Sequence, residues 1–311
     1  MKYFVYLIIF FLLSQCKPTE VATGPSQAPN IILILADDLG YGDVEILNKN
    51  SKIPTPNLNK LAQQGMIFTQ AHAPSAVFTP TRYSILTGNY SWRSTKKSGV
   101  AWLWDPPLIH KEDYTLGEIL QSKGYHTACI GKWHLGWHWP TKEGHLPQAD
   151  GRNIDYEQAI TGGPIELGFN YYFGDDVPSF PPHAFIENDK VTVLPTGWWE
   201  AGKVGAPGAM VPDWRYENLL PKISEKAIKY LADRTINHPN VPFFLFFSLS
   251  APHTPIAPSK LFLGSSGAGN YGDFVVEIDH YIGVLLDTLD QLGISDQILV
   301  IFTSDNGPTN M

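Results

Sequence analysis

The chain has 311 residues, of which 43% are hydrophobic and 17% are charged, and its formal net charge at pH 7 is −8. This length can bury a large core in one large α/β domain or two small ones, and the composition excludes a disordered or fibrous protein. The acidic balance argues against a nucleic-acid partner. Any anionic ligand must therefore bind at a local site.

The N-terminus has the pattern of an export signal over residues 1–16. Lys2 precedes an apolar run, residues 3–13, that is too short to span a bilayer. The Leu-Ser-Gln-Cys stretch that ends at Cys16 resembles a bacterial lipoprotein cleavage box. We expect an exported protein, periplasmic or attached to the outer membrane of a bacterium only through a lipid on Cys16, with cleavage and release as the alternative. Cys129 then has no disulfide partner and is expected to be a buried small hydrophobe.

Buried strands alternate with amphipathic helices after a tether at residues 17–29. This alternation predicts an α/β fold with a mostly parallel central sheet flanked by helices. Residues 137–210, rich in glycine, proline and aromatic residues, are expected to form long loops over one edge of the sheet. The predicted strands are residues 30–36, 66–69, 126–130, 242–249 and 297–302, and the predicted helices are residues 55–65, 114–123, 216–237 and 272–292.

Residues 74–88 predict a turn from a strand into a helix. Thr79 is expected to cap this helix, Pro80 to occupy its first position and Arg82 to lie in its first turn. Free backbone N–H groups and a nearby guanidinium suit a tetrahedral oxyanion such as sulfate or phosphate. From these residues alone, an ordinary capped surface helix remains the alternative.

Polar residues directly follow four of the predicted buried strands. Ligands of open α/β sheets bind outside the carboxyl ends of the strands, so we expect these side chains to meet at one edge of the sheet. Surface loops have no reason to place charge immediately after each buried strand. The residues are Asp37, Asp38, Lys132, His134, His253, Asp305 and Asn306.

Asp37, Asp38, Asp305 and Asn306 supply hard oxygen ligands, which suit Ca²⁺ or Mg²⁺ rather than Zn²⁺. Their like charges would be costly at close range without a cation. Either pair alone could form an ordinary turn. Their occurrence at equivalent strand ends favours a metal site.

Lys132 and His134 alternate with Trp133 along an expected extended segment, which would place them on the same side. One could hold an anionic oxygen while the other moves a proton. His253 lies on a proline-rich turn that suits a positioned general acid. Three tryptophans of this region either stack on a sugar or aryl ring or fill the loop core: Trp133, Trp137 and Trp139.

Six stretches together resemble the type I, formylglycine-dependent sulfatases of the alkaline phosphatase superfamily. They occur in the family's order over nearly all of the chain after the tether. The resemblance implies an alkaline phosphatase-like sulfatase fold over residues 30–311. Because family members continue beyond the position of residue 311, this domain is expected to be C-terminally truncated. The matching stretches are residues 29–42, 55–58, 79–88, 131–136, 251–255 and 302–308.

The resemblance also implies roles for individual residues in the hydrolysis of sulfate esters, as in arylsulfatase-like sulfuric ester hydrolases. Lys132 and His253 would contact the sulfate, Arg82 would support the nucleophile and the metal, and His134 would handle the proton of the catalytic hydroxyl. Sulfated small molecules or glycans are the implied substrates. The implied calcium ligands are Asp37, Asp38, Asp305 and Asn306.

The sequence departs from the family at the nucleophile. The family's Cys-x-Pro-x-Arg is Phe-Thr-Pro-Thr-Arg here, over residues 78–82, and Phe78 cannot become formylglycine or bind the metal. We expect an inactive or impaired chain. A non-catalytic binder of sulfated sugars and a fragment of an active sulfatase are the alternatives, followed by a phosphate-ester hydrolase of the same superfamily. The sequence indicates no oligomeric state. Asp175, Asp176 and His183 lie where specificity is expected to be set, without assigned roles.

Overall fold

A seven-stranded sheet forms the centre of the chain in a computed structural model that describes residues 28–202 and 204–308. The predicted export signal, Cys16 and nearly all of the tether lie outside the described residues. The strands are β1 (Asn30–Asp37), β2 (His126–Gly131), β3 (Tyr171–Gly174), β4 (Ile186–Glu187), β5 (Lys190–Val191), β6 (Gly197–Trp199), β7 (Gly208–Met210), β8 (Phe243–Pro252) and β9 (Ile298–Ser304).

The order of the strands in the sheet is β5-β4-β3-β2-β8-β1-β9. The strands from β3 to β9 in this order are parallel, and β4 and β5 continue the sheet in antiparallel pairs. A separate antiparallel pair is formed by β6 and β7. The helices are α1 (Pro56–Gln63), α2 (Phe78–Thr87), α3 (Leu116–Ser122), α4 (Leu219–Asn237) and α5 (Gly269–Gln291).

Both faces of the sheet are covered, as the continuous apolar runs of β1 and β8 predict. Ile32 and Ile34 of β1 join a core cluster with α1, α4 and α5. Leu33 and Leu35, which alternate with them, join a second cluster with α2. The predicted α/β class with a mostly parallel, helix-flanked sheet is confirmed. Cys129, on β2, is buried and free, as expected.

Two regions differ from the sequence prediction. Residues 66–69 do not form a strand, and Met66 and Phe68 are 76% and 72% exposed. A short apolar stretch becomes a strand only when a neighbour takes its hydrogen bonds, and no described strand pairs with this one. Residues 137–210, predicted as loops, contain the five short strands β3 to β7. Within the described residues, no helix is both long and apolar enough to cross a membrane.

The start of α2 also differs from the prediction. Val77 occupies the N-cap position and Phe78 is the first helical residue, so Arg82 lies in the second turn. Thr79 does not cap the helix, because its hydroxyl accepts the amide hydrogen of Ala101 at 3.1 Å and donates to the carbonyl of His134 at 3.3 Å. The elbow is therefore tied to the loops that follow it in the chain.

Candidate active site

Four polar side chains meet at the carboxyl edge of the sheet. Asp37 is the last residue of β1, and Lys132, His253 and Asp305 directly follow β2, β8 and β9. Because these four strands are adjacent and parallel, their ends bring the side chains together. All four residues are buried, with at most 7% of their surface exposed.

Arg82 links three of the strand ends. From α2 its Nη2 and Nε donate to Asp305 Oδ2 at 2.9 and 3.1 Å, and Nη2 also lies 3.4 Å from Asp37 Oδ1. Its Nη1 donates to the carbonyl of Lys132 at 3.2 Å and to the hydroxyl of Ser248. A fully buried guanidinium is tolerated only with such partners, so Arg82 and the carboxylates depend on one another.

Lys132 supplies the second buried cation. Its Nζ donates to Asp37 Oδ2 at 2.6 Å, so that Asp37 lies between two positive charges. Burial raises the pKa of Asp37, but the attraction of Lys132, with smaller contributions that include Arg82, outweighs it and leaves that pKa far below its usual range. Asp37 is therefore a permanent anion at physiological pH.

The neighbouring oxygens lack enough hydrogen bonds. Asp38 N–H donates to Asp305 Oδ1 at 3.1 Å, and Asn306 Nδ2 donates to Asp38 Oδ1 at 2.5 Å. No described residue donates a hydrogen bond to three other buried oxygens, namely Asp37 Oδ1, Asp38 Oδ2 and Asn306 Oδ1. One ligand atom from each of Asp37, Asp38 and Asp305 lies within 4.8 Å of the others. Buried acceptors without donors are costly, and a hard cation would satisfy them.

Electrostatics support the same conclusion. Burial, and then repulsion from Asp37, raises the pKa of Asp38 to about 6 and that of Asp305 to about 7. Three carboxyl groups at this distance cannot all ionise cheaply without a counter-charge. Together with Asn306, these carboxyl groups fit a Ca²⁺ or Mg²⁺ ion, because their oxygens are hard ligands and three of the oxygens of the four residues accept no hydrogen bond from a described residue.

Phe78 lies among the polar groups on the other side of Lys132. Its ring stacks on His134 at 4.9 Å between centroids and meets His253 edge-on, also at 4.9 Å. The Lys132 Nζ lies 4.3 Å from the centroid of the Phe78 ring. The ring is half-buried. One apolar side chain thus contacts all three groups to which the family resemblance gives roles in sulfate binding and proton transfer.

Burial favours the neutral form of both histidines. Burial, and then Lys132, lowers the pKa of His253 to about 4 and holds the pKa of His134 well below its usual range. His134 Nε2 is hydrogen-bonded to the carbonyl of Ala101 at 3.0 Å, and its buried Nδ1 has no partner among the described residues. His253 Nδ1 is hydrogen-bonded to the carbonyl of Thr254. Since a carbonyl only accepts, the second nitrogen of each ring is an acceptor.

The segment from Lys132 to His134 is irregular, and the prediction that it is extended fails at His134. His134 has a left-handed backbone with φ of 58°, and so does Asp38 with φ of 66°. Two hydrogen bonds fix the segment: Trp133 N–H donates to the carbonyl of Asp175 at 3.0 Å, and His134 N–H donates to Asp176 Oδ1 at 3.1 Å. Lys132 and His134 still contact the same ring, but His134 does so from a left-handed backbone.

Asp175 and Asp176, which accept the hydrogen bonds of the Trp133 and His134 amides, have no role in the sequence prediction. The acidic pair itself comes at the end of β3, as Asp37 and Asp38 come at the end of β1, but β3 is too short to show the continuous apolar run that marks a buried strand. Asp175 Oδ1 accepts from the hydroxyl of Ser250 at 3.0 Å, and burial raises the Asp175 pKa to about 7.

The three tryptophans considered for ring stacking are unavailable for it. Trp133, Trp137 and Trp139 are only 1%, 2% and 8% exposed and fill the core of the loops. His183 is buried too, and its ring contacts belong to a separate cluster with Trp199, Trp214 and Tyr216. The loop-core alternative for the tryptophans is therefore the correct one.

Comparisons with known proteins give a consistent result. The Sulfatase family matches residues 29–310. An N-acetylgalactosamine-6-O-sulfatase of Bacteroides thetaiotaomicron is 33% identical over 317 residues, covering 91% of this chain and 60% of the relative. The N-acetylgalactosamine-6-sulfatase of Rattus norvegicus is 32% identical over 294 residues, covering 92% of this chain and 51% of the relative.

A solved structure gives the same picture. It comes from a study of the metabolism of multiple glycosaminoglycans by Bacteroides thetaiotaomicron, with a TM-score of 0.78 and 32% identity. The alignment covers 91% of this chain and 64% of that structure. The chain thus spans between half and two thirds of the length of these relatives.

Proposed function

The chain belongs to the sulfatase family, and on that premise we propose that its pocket binds sulfate esters of sugars beside a divalent cation without hydrolysing them. The names of the relatives support a 6-sulfated hexosamine of a glycan as the class of ligand. The position of the Phe78 ring carries the proposal. It contacts Lys132, His134 and His253, where a catalytic hydroxyl would have to lie.

The cation would be held by Asp37, Asp38, Asp305 and Asn306, with Ca²⁺ as our first choice and Mg²⁺ as the alternative. Its chemical contribution is to neutralise charge on the bound sulfate group. The support for this site is the set of buried oxygens that no described residue satisfies.

The remaining polar groups take the roles that the family resemblance gives them. Lys132 and His253 would contact the sulfate oxygens, and Arg82 would hold the carboxylates in place. His134 has an acceptor nitrogen, but a phenyl ring in contact with it offers no proton to accept. The pocket therefore keeps groups that recognise an anion and lacks the group that would attack sulfur.

Phe78 prevents the family's chemistry because its side chain cannot be converted to formylglycine. Formylglycine forms by oxidation of a cysteine thiol, or sometimes a serine hydroxyl, and a phenyl ring has neither. Thr79, the next hydroxyl, is no substitute, because it is 1% exposed and its hydroxyl is hydrogen-bonded on both sides.

Release of inorganic sulfate from N-acetylgalactosamine 6-sulfate tests the catalytic half of the proposal. We expect none from the wild type in the presence of CaCl₂. The Phe78→Cys variant, produced together with a formylglycine-generating enzyme, is expected to show turnover that disappears when Asp305→Ala is added. Turnover by the wild type that Asp305→Ala abolishes would contradict the proposal that the pocket does not hydrolyse sulfate esters.

Calorimetry tests the binding half. Saturable, calcium-dependent binding of the same sugar sulfate by the wild type is expected, whereas the matched 6-phosphate sugar is expected to bind more weakly. Equal or tighter binding of the phosphate sugar would favour the phosphate-ester alternative. A wild type and a Phe78→Cys variant that both fail to bind the sulfated sugar would contradict a sulfate-ester pocket.

A further inference from the structure

A pair of stacked aromatic side chains lies beside the pocket. The Trp102 ring stacks on Phe180 with 5.8 Å between centroids and 24° between planes, and Phe180 meets His134 edge-on at 6.2 Å. Trp102 is 61% exposed, Phe180 is half-buried and His134 is buried. The rings thus form a row from the solvent to the pocket, and Phe78 continues it beyond His134.

The exposed tryptophan is attached to the pocket through its backbone. Ala101, the residue before it, donates its amide hydrogen to Thr79 Oγ1 at 3.1 Å, and its carbonyl is hydrogen-bonded to His134 Nε2 at 3.0 Å. A displacement of Trp102 would therefore disturb the hydrogen bond that orients His134. Ala101 thus links the backbone next to Trp102 to His134 in the pocket.

The loop around Trp102 is braced as well. Trp102 N–H donates to Asp105 Oδ2 at 2.9 Å, and Asp105 N–H donates back to the carbonyl of Trp102 at 3.0 Å. Lys96 Nζ donates to the same carboxylate oxygen at 2.7 Å. A large apolar side chain is thus held in water on a fixed loop, which lowers the entropic cost of binding a ligand.

We propose that Trp102 and Phe180 form a stacking platform for a neutral sugar ring of the same glycan whose sulfate enters the pocket. The proposal deepens the proposed function and rests on it. The face of an aromatic ring carries partial negative charge and pairs with the weakly positive C–H groups on a pyranose face. Lys96, the cation that is bound to Asp105 beneath Trp102, is already paired and is not available to a second sulfate.

A second exposed tryptophan provides a matched control. Trp92 is 53% exposed and stacks on Tyr90 at 4.1 Å. It therefore resembles Trp102 in exposure and in having an aromatic neighbour. The two tryptophans differ in their neighbours: Trp102 stacks on Phe180, the ring that meets His134, whereas Trp92 stacks on Tyr90. If binding is lost on substitution of Trp102 but not of Trp92, the effect belongs to the position of Trp102 and is not a general effect of removing a surface tryptophan.

Calorimetry with three probes tests the platform on the full chain in CaCl₂: a 6-sulfated chondroitin disaccharide, its unsulfated counterpart and inorganic sulfate. We expect Trp102→Ala to weaken both disaccharides about tenfold and to leave inorganic sulfate unchanged. Trp102→Phe keeps an aromatic face, so its affinity for the disaccharides is expected to fall about threefold or less. For Trp92→Ala the same affinity is expected to fall about twofold or less.

Equal affinity of the wild type and Trp102→Ala for both disaccharides would overturn the platform. A parallel loss for inorganic sulfate would also overturn it, because it would show that Trp102 acts by supporting the pocket and not by stacking on a sugar ring. A wild type that binds neither disaccharide has no platform. If instead both sugars bind in a Trp102-dependent way but inorganic sulfate and calcium have no effect, the platform stands and the proposed sulfate-ester pocket fails.

Discussion

Lys132 contacts two halves of the pocket that differ in kind. Its ammonium group lies 2.6 Å from Asp37 Oδ2 on one side and 4.3 Å from the centroid of Phe78 on the other. The carboxylate half, consisting of Asp37, Asp38, Asp305 and Asn306, is fully buried and short of hydrogen-bond donors. The aromatic half, consisting of Phe78, His134 and His253, is joined by ring contacts, and its central ring is half-exposed.

If the proposed function holds, this difference makes ligand recognition and the chemical reaction separable in this architecture. The carboxylate half draws on the ends of β1 and β9 and on Arg82, and none of its hydrogen bonds involves residue 78. A change at position 78 can therefore remove the attacking group while the anions and their cations stay in place. Three experiments test this comparison: two act on the carboxylate half, and one tests the neutral imidazole that the aromatic half requires.

Removal of the guanidinium should break the carboxylate half. Arg82→Met leaves Asp305 and Asp37 buried without one of their cations, which typically costs about 3–5 kcal/mol. We expect the free energy of unfolding in urea to fall by that amount. Arg93→Met, at an exposed position, is the matched control and should change it by less than about 0.5 kcal/mol. A loss below about 1 kcal/mol for Arg82→Met would mean that the carboxylates find other partners.

Addition of a divalent cation should strengthen the same half. A ligand at about one hundred times its Kd stabilises the folded state by about 2.7 kcal/mol. We expect CaCl₂ to raise the thermal unfolding midpoint of the wild type and of Phe78→Ala, since position 78 is outside the carboxylate half. Asp38→Asn should remove the effect, whereas Asp296→Asn, at an exposed position, should keep it.

The ion series also identifies the cation. Stabilisation by MgCl₂ but not by CaCl₂ would assign the site to magnesium. An equal shift in the wild type and in Asp38→Asn would place the cation elsewhere on the protein. A shift that disappears in Phe78→Ala would show that the two halves are coupled after all.

The strand ends of the carboxylate half could be predicted from the sequence for a physical reason. A continuous apolar run marks a strand buried on both faces, and parallel strands send their carboxyl ends to one edge. The amino-acid pattern is therefore sufficient to place Asp37, Lys132, His253 and Asp305 together. Short strands carry no such signal, so the pattern does not reveal the four-residue β3 or the role of the acids that follow it.

Contacts between distant parts of the chain are beyond the reach of local patterns. Thr55 and Thr79 both have the sequence context of helix caps, but the Thr55 hydroxyl accepts from Glu45 N–H and the Thr79 hydroxyl from Ala101 N–H. The start of α1 is instead capped by Asp279 of α5, which is 222 residues away from Asn57. No local pattern singles out Trp102, because its exposure depends on how its loop folds against His134.

The protonation of a remote histidine tests whether burial can hold an imidazole neutral, as the aromatic half requires. His126 lies at the amino end of β2, with Nδ1 3.0 Å from the Tyr230 hydroxyl, and burial, followed by Arg234, lowers its pKa from 6.5 to about 4. The unfolded chain therefore takes up this proton first, so the stability from His126 is complete above pH 6.5 and is lost as the pH falls towards 4.

If the whole pKa shift of His126 contributed, the free energy of unfolding would fall by about 2 kcal/mol between pH 7 and pH 5. We reduce this to about 1 kcal/mol because the His126 side chain is half-exposed. We expect the wild type to lose that much more free energy of unfolding between these pH values than His126→Gln does. Asp38 and Asp305 have raised pKa values and act in the opposite direction, but they are common to both proteins and cancel. His145→Gln, at an exposed position, should match the wild type. If His126→Gln loses as much free energy of unfolding as the wild type, burial at the depth of His126 does not keep an imidazole neutral. The neutral form of His253, which is more deeply buried, would then depend on Lys132.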